Sequence, residues 1–153
     1  MDFFKNNSNI CISSDKKEII LWKNSVTIDG MLINFPGEYE KSGILTQVRE
    51  ENEKFYFTLQ IEGKIVAYIP HVEGEIHDEL INFFAKTSIL VTLADKANTK
   101  LIEVLEPSII IPFGETKDIF LTTLGQSTLE STGQYKVKDI SDEWAAIYVN
   151  LSE

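Results

Sequence analysis

The chain has 153 residues, enough for one domain with a sizeable core and no need of a second. Apolar residues make up 43% of it and aromatics 10%, a globular composition and not a disordered one. Fourteen basic residues against 24 acidic ones leave a formal charge of −10. That field repels nucleic acid and anionic membrane surfaces, since both are held largely through Lys and Arg.

The opening stretch, Met1 to Ser8, lacks the basic region and apolar run of a secretory signal, and no apolar stretch is long enough to cross a bilayer. Cys11 is the only cysteine, so an intramolecular disulfide is excluded and a core role as a small hydrophobe is expected. The expected compartment is the cytoplasm.

The first two-thirds read as strands and tight turns. Ile10 to Ser13 and Glu18 to Lys23 flank the turn Ser14 to Lys17. Val26 to Ile28 and Met31 to Phe35 flank Asp29-Gly30, a dipeptide suited to a two-residue hairpin turn. Ile44 to Arg49 and Lys54 to Ile61 flank a polar turn, Glu50 to Glu53. Phe55, Phe57, Leu59 and Ile61 alternate with Tyr56, Thr58, Gln60 and Glu62, the period of a half-buried antiparallel strand. Gly63 leads into a further strand, Lys64 to Ile69.

After Pro70 the rhythm changes. Glu75 to Lys86 places Ile76, Leu80, Ile81, Phe83 and Phe84 on one helical face. Ser88 to Leu93 and Ser108 to Pro112 are apolar strands without alternation, which predicts burial on both faces. A second helix spans 98–106, stopped by Pro107, and a third spans 116–124, stopped by Gly125. The tail, Gln134 to Lys138 and Ala145 to Leu151, returns to strand. An antiparallel meander followed by strand–helix units predicts an α/β domain over 1–153 with mixed pairing.

Pro36-Gly37-Glu38-Tyr39-Glu40-Lys41-Ser42-Gly43-Ile44 is the most individual stretch. It resembles the Gly-Pro-Gly-Glu-Tyr-Glu-x-x-Gly segment of a small bacterial branch of the metallo-β-lactamase-fold hydrolases. Lys54 to Ile69 is similar to the strand, turn and strand leading to that family's Gly-Asp metal loop, and Pro107 to Pro112 resembles the strand that delivers a late histidine. Tyr135 to Ile140 and Ala146 to Val149 look like the closing strands. The resemblance implies a reduced αββα sandwich: two mixed β-sheets face to face, with about three outer helices near 75–86, 98–106 and 116–124.

It also implies a metal-dependent hydrolase, and the ligands fail one by one. There is no His-x-His-x-Asp-His cluster, and only Trp22 to Gly30 stand where that loop and its helix belong. Pro70-His71 replaces the Gly-Asp pair, and Phe113-Gly114 follows Pro112 where a histidine is needed. A hydrolytic zinc site takes about three protein ligands and a water. The expectation is therefore no catalytic residue, no cofactor and no metal.

Other chemistry is thinly signposted. His71, His77 and Asp78 are the one place where metal ligands crowd, the alternative being a polar loop with acids at a helix start. Glu38 and Glu40 fall on one face of an extended segment, as exposed loop acids commonly do. No nucleophile elbow, phosphate loop or dinucleotide fingerprint occurs. Trp22 and Trp144 are expected in the core, with interface anchoring as the alternative. Yet the resemblance implies that losing the metal-bearing loop and helix uncovers apolar strand surface or an unpaired strand edge near Trp22 to Phe35, which makes Trp22 and Phe35 candidate anchors. The expected function is binding or assembly, with a homodimer or an unknown protein partner. The rival is a small metal-dependent hydrolase built around His71, His77 and Asp78.

Overall fold

Two-residue turns organise the first half of the molecule. The computed structural model describes residues 1–73, 76–138 and 145–153. β1 (Asp2–Asn6), β2 (Asn9–Ser14), β3 (Lys17–Trp22), β4 (Ser25–Ile28) and β5 (Met31–Ile33) run as one antiparallel meander. A second meander holds β6 (Gly37–Lys41), β7 (Ile44–Glu51), β8 (Lys54–Ile61) and β9 (Lys64–Ile69). Both turn residues have positive φ at Asp15-Lys16, Asp29-Gly30, Ser42-Gly43, Asn52-Glu53 and Glu62-Gly63. That geometry matches the right-handed twist of the flanking strands. At Asp15-Lys16 and Asn52-Glu53 it is adopted without glycine, where L side chains resist it.

β10 (Thr87–Leu93) and β11 (Ile109–Phe113) then join β9 by parallel pairing, with α1 (Asp78–Phe83) and α2 (Thr99–Leu105) as crossovers. After α3 (Lys117–Thr123) come β12 (Ser131–Thr132), β13 (Gln134–Lys136), β14 (Ile147–Tyr148) and β15 (Asn150–Leu151). The result is a six-stranded sheet in the order β13-β1-β2-β3-β4-β5 and a seven-stranded one in the order β14-β11-β10-β9-β8-β7-β6; β12 and β15 form a small pair of their own. Pairing is antiparallel throughout the first sheet and mixed in the second.

The main core lies between the sheets. Phe3, Ile12, Ile19, Leu21 and Ile28 meet Phe57, Leu59, Tyr68, Val91 and Ile111 there. A second core joins the other face of the seven-stranded sheet, at Tyr56, Ala67, Ile69 and Leu90, to Leu80 and Phe84 at α1 and Leu101 of α2. β10 is thus buried on both faces, as its unbroken apolar run predicts. β8 departs from simple alternation, because Tyr56 and Thr58 are buried beside Phe57 and Leu59. Tyr56 lies edge-on to Phe84, just past α1, and cannot face water.

The three helices stand near the expected positions but are shorter. His77 is still extended, so α1 starts at Asp78, and Lys86 at φ 64 breaks the chain out of the helical region. A 3-10 turn, Lys96–Asn98, precedes α2, which ends at left-handed Glu106 before Pro107. The strand expected to reach Phe35 stops at Ile33, because there the chain leaves one sheet for the other. The helix start expected at Glu75, the strand end at Asp139-Ile140 and Trp144 lie outside the described residues. Among the described residues, no helix is long and apolar enough to cross a membrane.

Candidate functional site

α1 and α2 both cover the outer face of the seven-stranded sheet, and α3 lies beside β11 of the same sheet. The six-stranded sheet has Ile10, Ile12, Ile19, Leu21, Val26, Ile28 and Ile33 turned inward, so the residues between them face out. Strand register aligns Phe4, Cys11, Ile20, Thr27 and Leu32 in one row across that outer face. Cys11 is buried within the row, and burial pushes its thiol up. Leu32 is 58% exposed, Trp22 on the same face 45%, and Phe35 in the loop after β5 70%. Core packing therefore fails for Trp22: strand parity turns it away from Leu21 and the core.

Between the sheets, at the carboxyl ends of β9, β10 and β11, a cavity of about 560 Å³ opens to solvent. This end of a parallel sheet segment is where α/β folds commonly take ligands. Pro70, Leu93, Phe113 and Gly114 line it from the seven-stranded sheet, and the β1–β2 and β3–β4 turns complete it with Lys5, Asn7, Ser8, Trp22 and Lys23. Tyr68 forms the floor, its hydroxyl donating to the Lys23 carbonyl at 2.8 Å. Burial holds that phenol well above its usual range. Gly114 is needed as such: its φ is +112°, and a Cβ there would come within 3.0 Å of Leu93 Cδ1.

The resemblance locates metal ligands at Pro70-His71 and Phe113-Gly114, and the residues present do not fit a metal. The cavity lining offers one carboxylate, Glu115, beside two ammonium groups, Lys5 and Lys23. Three nitrogen, sulfur or oxygen ligands are needed to hold a catalytic zinc, and neighbouring cations oppose one. His71 does not enter the cavity lining. Its ring packs edge-on to Tyr56 at 4.6 Å, with Nε2 3.7 Å from Glu73. Both ring nitrogens are buried without a hydrogen-bond partner among the described residues. Burial pulls the imidazole below its ordinary pKa, opposed in part by Glu73.

His77 stands elsewhere again, with Nε2 2.8 and 2.9 Å from the two carboxylate oxygens of Glu51. With Glu79 they offer three donor atoms, all within 4.8 Å of one another. The structure thus groups His77 with Glu51 and Glu79, and neither His71 nor Asp78 belongs to that set. Arg49 already pairs with it, at 2.8 Å from Glu79 and 3.4 Å from Glu51. Glu38 and Glu40 are exposed neighbours on β6 and serve its hairpin: Glu40 accepts from the Gly43 amide at 2.8 Å, Glu38 from Gln47 at 3.3 Å.

Sequence reasoning passed over Asn98. Fully buried, it donates to the carbonyls of His71 and Leu93 and to Thr92 Oγ1, and accepts from the Glu73 amide at 2.6 Å. It fastens the 71–73 loop to the end of β10. An Asn just before a helical run reads as a cap, and nothing local signals its distant partners.

No protein-family model and no curated protein matches the sequence. Among solved structures, the chain is similar to one from Thermotoga maritima, provisionally described as a Zn-dependent hydrolase of the metallo-β-lactamase superfamily. The match has a TM-score of 0.74 at 12% identity and covers 99% of this chain and 100% of that one. The chain therefore has the metallo-β-lactamase fold, as the Pro36-to-Ile44 segment implied.

Proposed function

We propose that this chain is a non-catalytic version of the metallo-β-lactamase fold that works by binding, and that its first partner is a second copy of itself. The lack of a fitting donor set in the cavity supports the non-catalytic half. The observation that carries the rest is the outer face of the six-stranded sheet, with its apolar row and exposed Trp22, Leu32 and Phe35. Such a surface is a liability in a monomer. β5 ends the sheet order, so its outer edge is open as well. A twofold copy meeting this face and edge covers both, and an interface of roughly 1,600 Å² in total is standard for a stable complex.

Light scattering at micromolar concentration tests the reading. The expected mass is twice the 17.4 kDa of one chain, and a clean 17.4 kDa species rejects self-association. The rival reading, a metal-dependent hydrolase with a relocated site, draws on the Glu51, His77 and Glu79 group. Metal analysis of protein purified without chelator separates the two. The binding reading expects well under one equivalent of zinc, iron or manganese, and stoichiometric metal lost in H77A promotes the hydrolase.

A further inference from the structure

We propose that the cavity at the ends of β9, β10 and β11 is a binding site for a small organic anion with a flat aromatic body. The idea rests on reading the chain as a binding protein; the cavity meets the self-association face at Trp22 and otherwise lies apart from it. Its volume, about 560 Å³, lies within the range of small-molecule sites. Its chemistry has two halves. Trp22 and Phe113 supply ring surface, and buried Tyr68 backs Phe113 with the two rings 5.9 Å apart at a 35° tilt. Flat apolar solutes pack well against such walls.

The second half is cationic. In a chain of net charge −10, two lysines and a single carboxylate line this opening. Lys23 lies over the Trp22 ring with Nζ 4.7 Å from its centroid, so its ammonium is held beside the ring surface instead of ranging through solvent. Lys117 stands near enough to Lys5 for repulsion to add to the burial that lowers its pKa. Lys117 is itself engaged, donating to the Leu151 carbonyl at 2.6 Å. Asn7 and Ser8, on the β1–β2 turn, add neutral donors at the same rim. Carboxylate and phosphate share this recognition chemistry, a charge-assisted hydrogen bond to ammonium.

Phenyl phosphate is the probe, with benzylamine, inorganic phosphate and phenylacetate as comparisons, followed by calorimetry and by amide shifts at Gly114 and Lys23. Phenyl phosphate or phenylacetate is expected to bind and shift both amides, and the tighter of the two names the head group. K5Q/K23Q is expected to weaken that binding by about tenfold or more. Inorganic phosphate is expected to bind at least about tenfold more weakly, for want of the ring. Benzylamine binding as tightly as the anions, or an unchanged affinity in K5Q/K23Q, overturns the anionic half. Inorganic phosphate equal to phenyl phosphate overturns the aromatic half, and no saturable binding by either aromatic anion overturns the site. Failure of anion binding leaves the self-association result standing, because that result is read from the mass of the parent protein without ligand.

Discussion

Asn98 and His71 show opposite ways of burying a polar side chain. Asn98 is fully satisfied and replaces water with four protein partners, so removing it strands several groups at once. Asn98→Ala is expected to cost roughly 2–4 kcal/mol in urea denaturation, because buried donors and acceptors are left unpaired. A loss under half a kilocalorie would mean that water takes over those bonds. His71 is part-buried, with both ring nitrogens buried and without a hydrogen-bond partner among the described residues, and its folded pKa lies below the ordinary value of about 6.5. Below that pH the unfolded chain takes up a proton that the folded one refuses, so stability falls as pH drops from about 6.5 toward the depressed pKa. Glu73 and Lys54 act on the same ring in opposite senses, the first raising its pKa and the second lowering it. His71→Phe is expected to flatten the stability profile in that window while changing little at pH 8, and an unaltered slope would assign the acid sensitivity elsewhere.

At the scale of elements, the Asp29-Gly30 turn does more than reverse the chain. Asp29 Oδ1 accepts from the Glu18 amide at 2.8 Å, and Oδ2 accepts from Ser42 Oγ, in the β6–β7 turn of the other sheet, at 2.5 Å. The Glu18 amide first, and Ser42 next, hold this carboxylate below its usual range. Its contribution is therefore present above the unfolded pKa and is lost as pH falls through the lower folded value. Asp29→Ala is expected to lower the melting temperature at pH 7 and to converge on the parent at strongly acid pH. A constant difference across pH would reject the charge-based account. This turn was legible in the sequence as a hairpin, and so were most strands and all three helices, because period and turn chemistry are local. β1 was missed because Asp2 to Asn6 shows no run or alternation of its own, and its strand status comes from pairing with β2 and β13. β6 was read as a connecting loop because its exposed acids lack a core face. The cavity was legible only as a set of missing ligands, since Lys5, Trp22 and Phe113 meet through tertiary folding alone.

For the whole molecule, charge and surface pull against each other. Two copies each carrying −10 repel, while the apolar outer face of the six-stranded sheet favours contact. Raising the salt concentration from about 10 mM to 150 mM shortens the Debye length from about 30 Å to 8 Å. Dimerisation is therefore expected to strengthen with salt, and Leu32→Lys to abolish it; weakening with salt would point to an interface held by ion pairs. The strand order has a different consequence, for the route by which the chain folds. β1 to β5 and β6 to β9 are runs of neighbour-to-neighbour pairings, whereas β13 pairs with β1 across about 130 residues of sequence. Closing so long a loop is costly in an open chain and becomes cheap once both meanders are formed, since they shorten the effective path. β13 is thus the natural last piece. Its amides are expected to exchange hydrogen through a local opening, at lower free energy than those of β8 to β10, where every strand is paired on both sides.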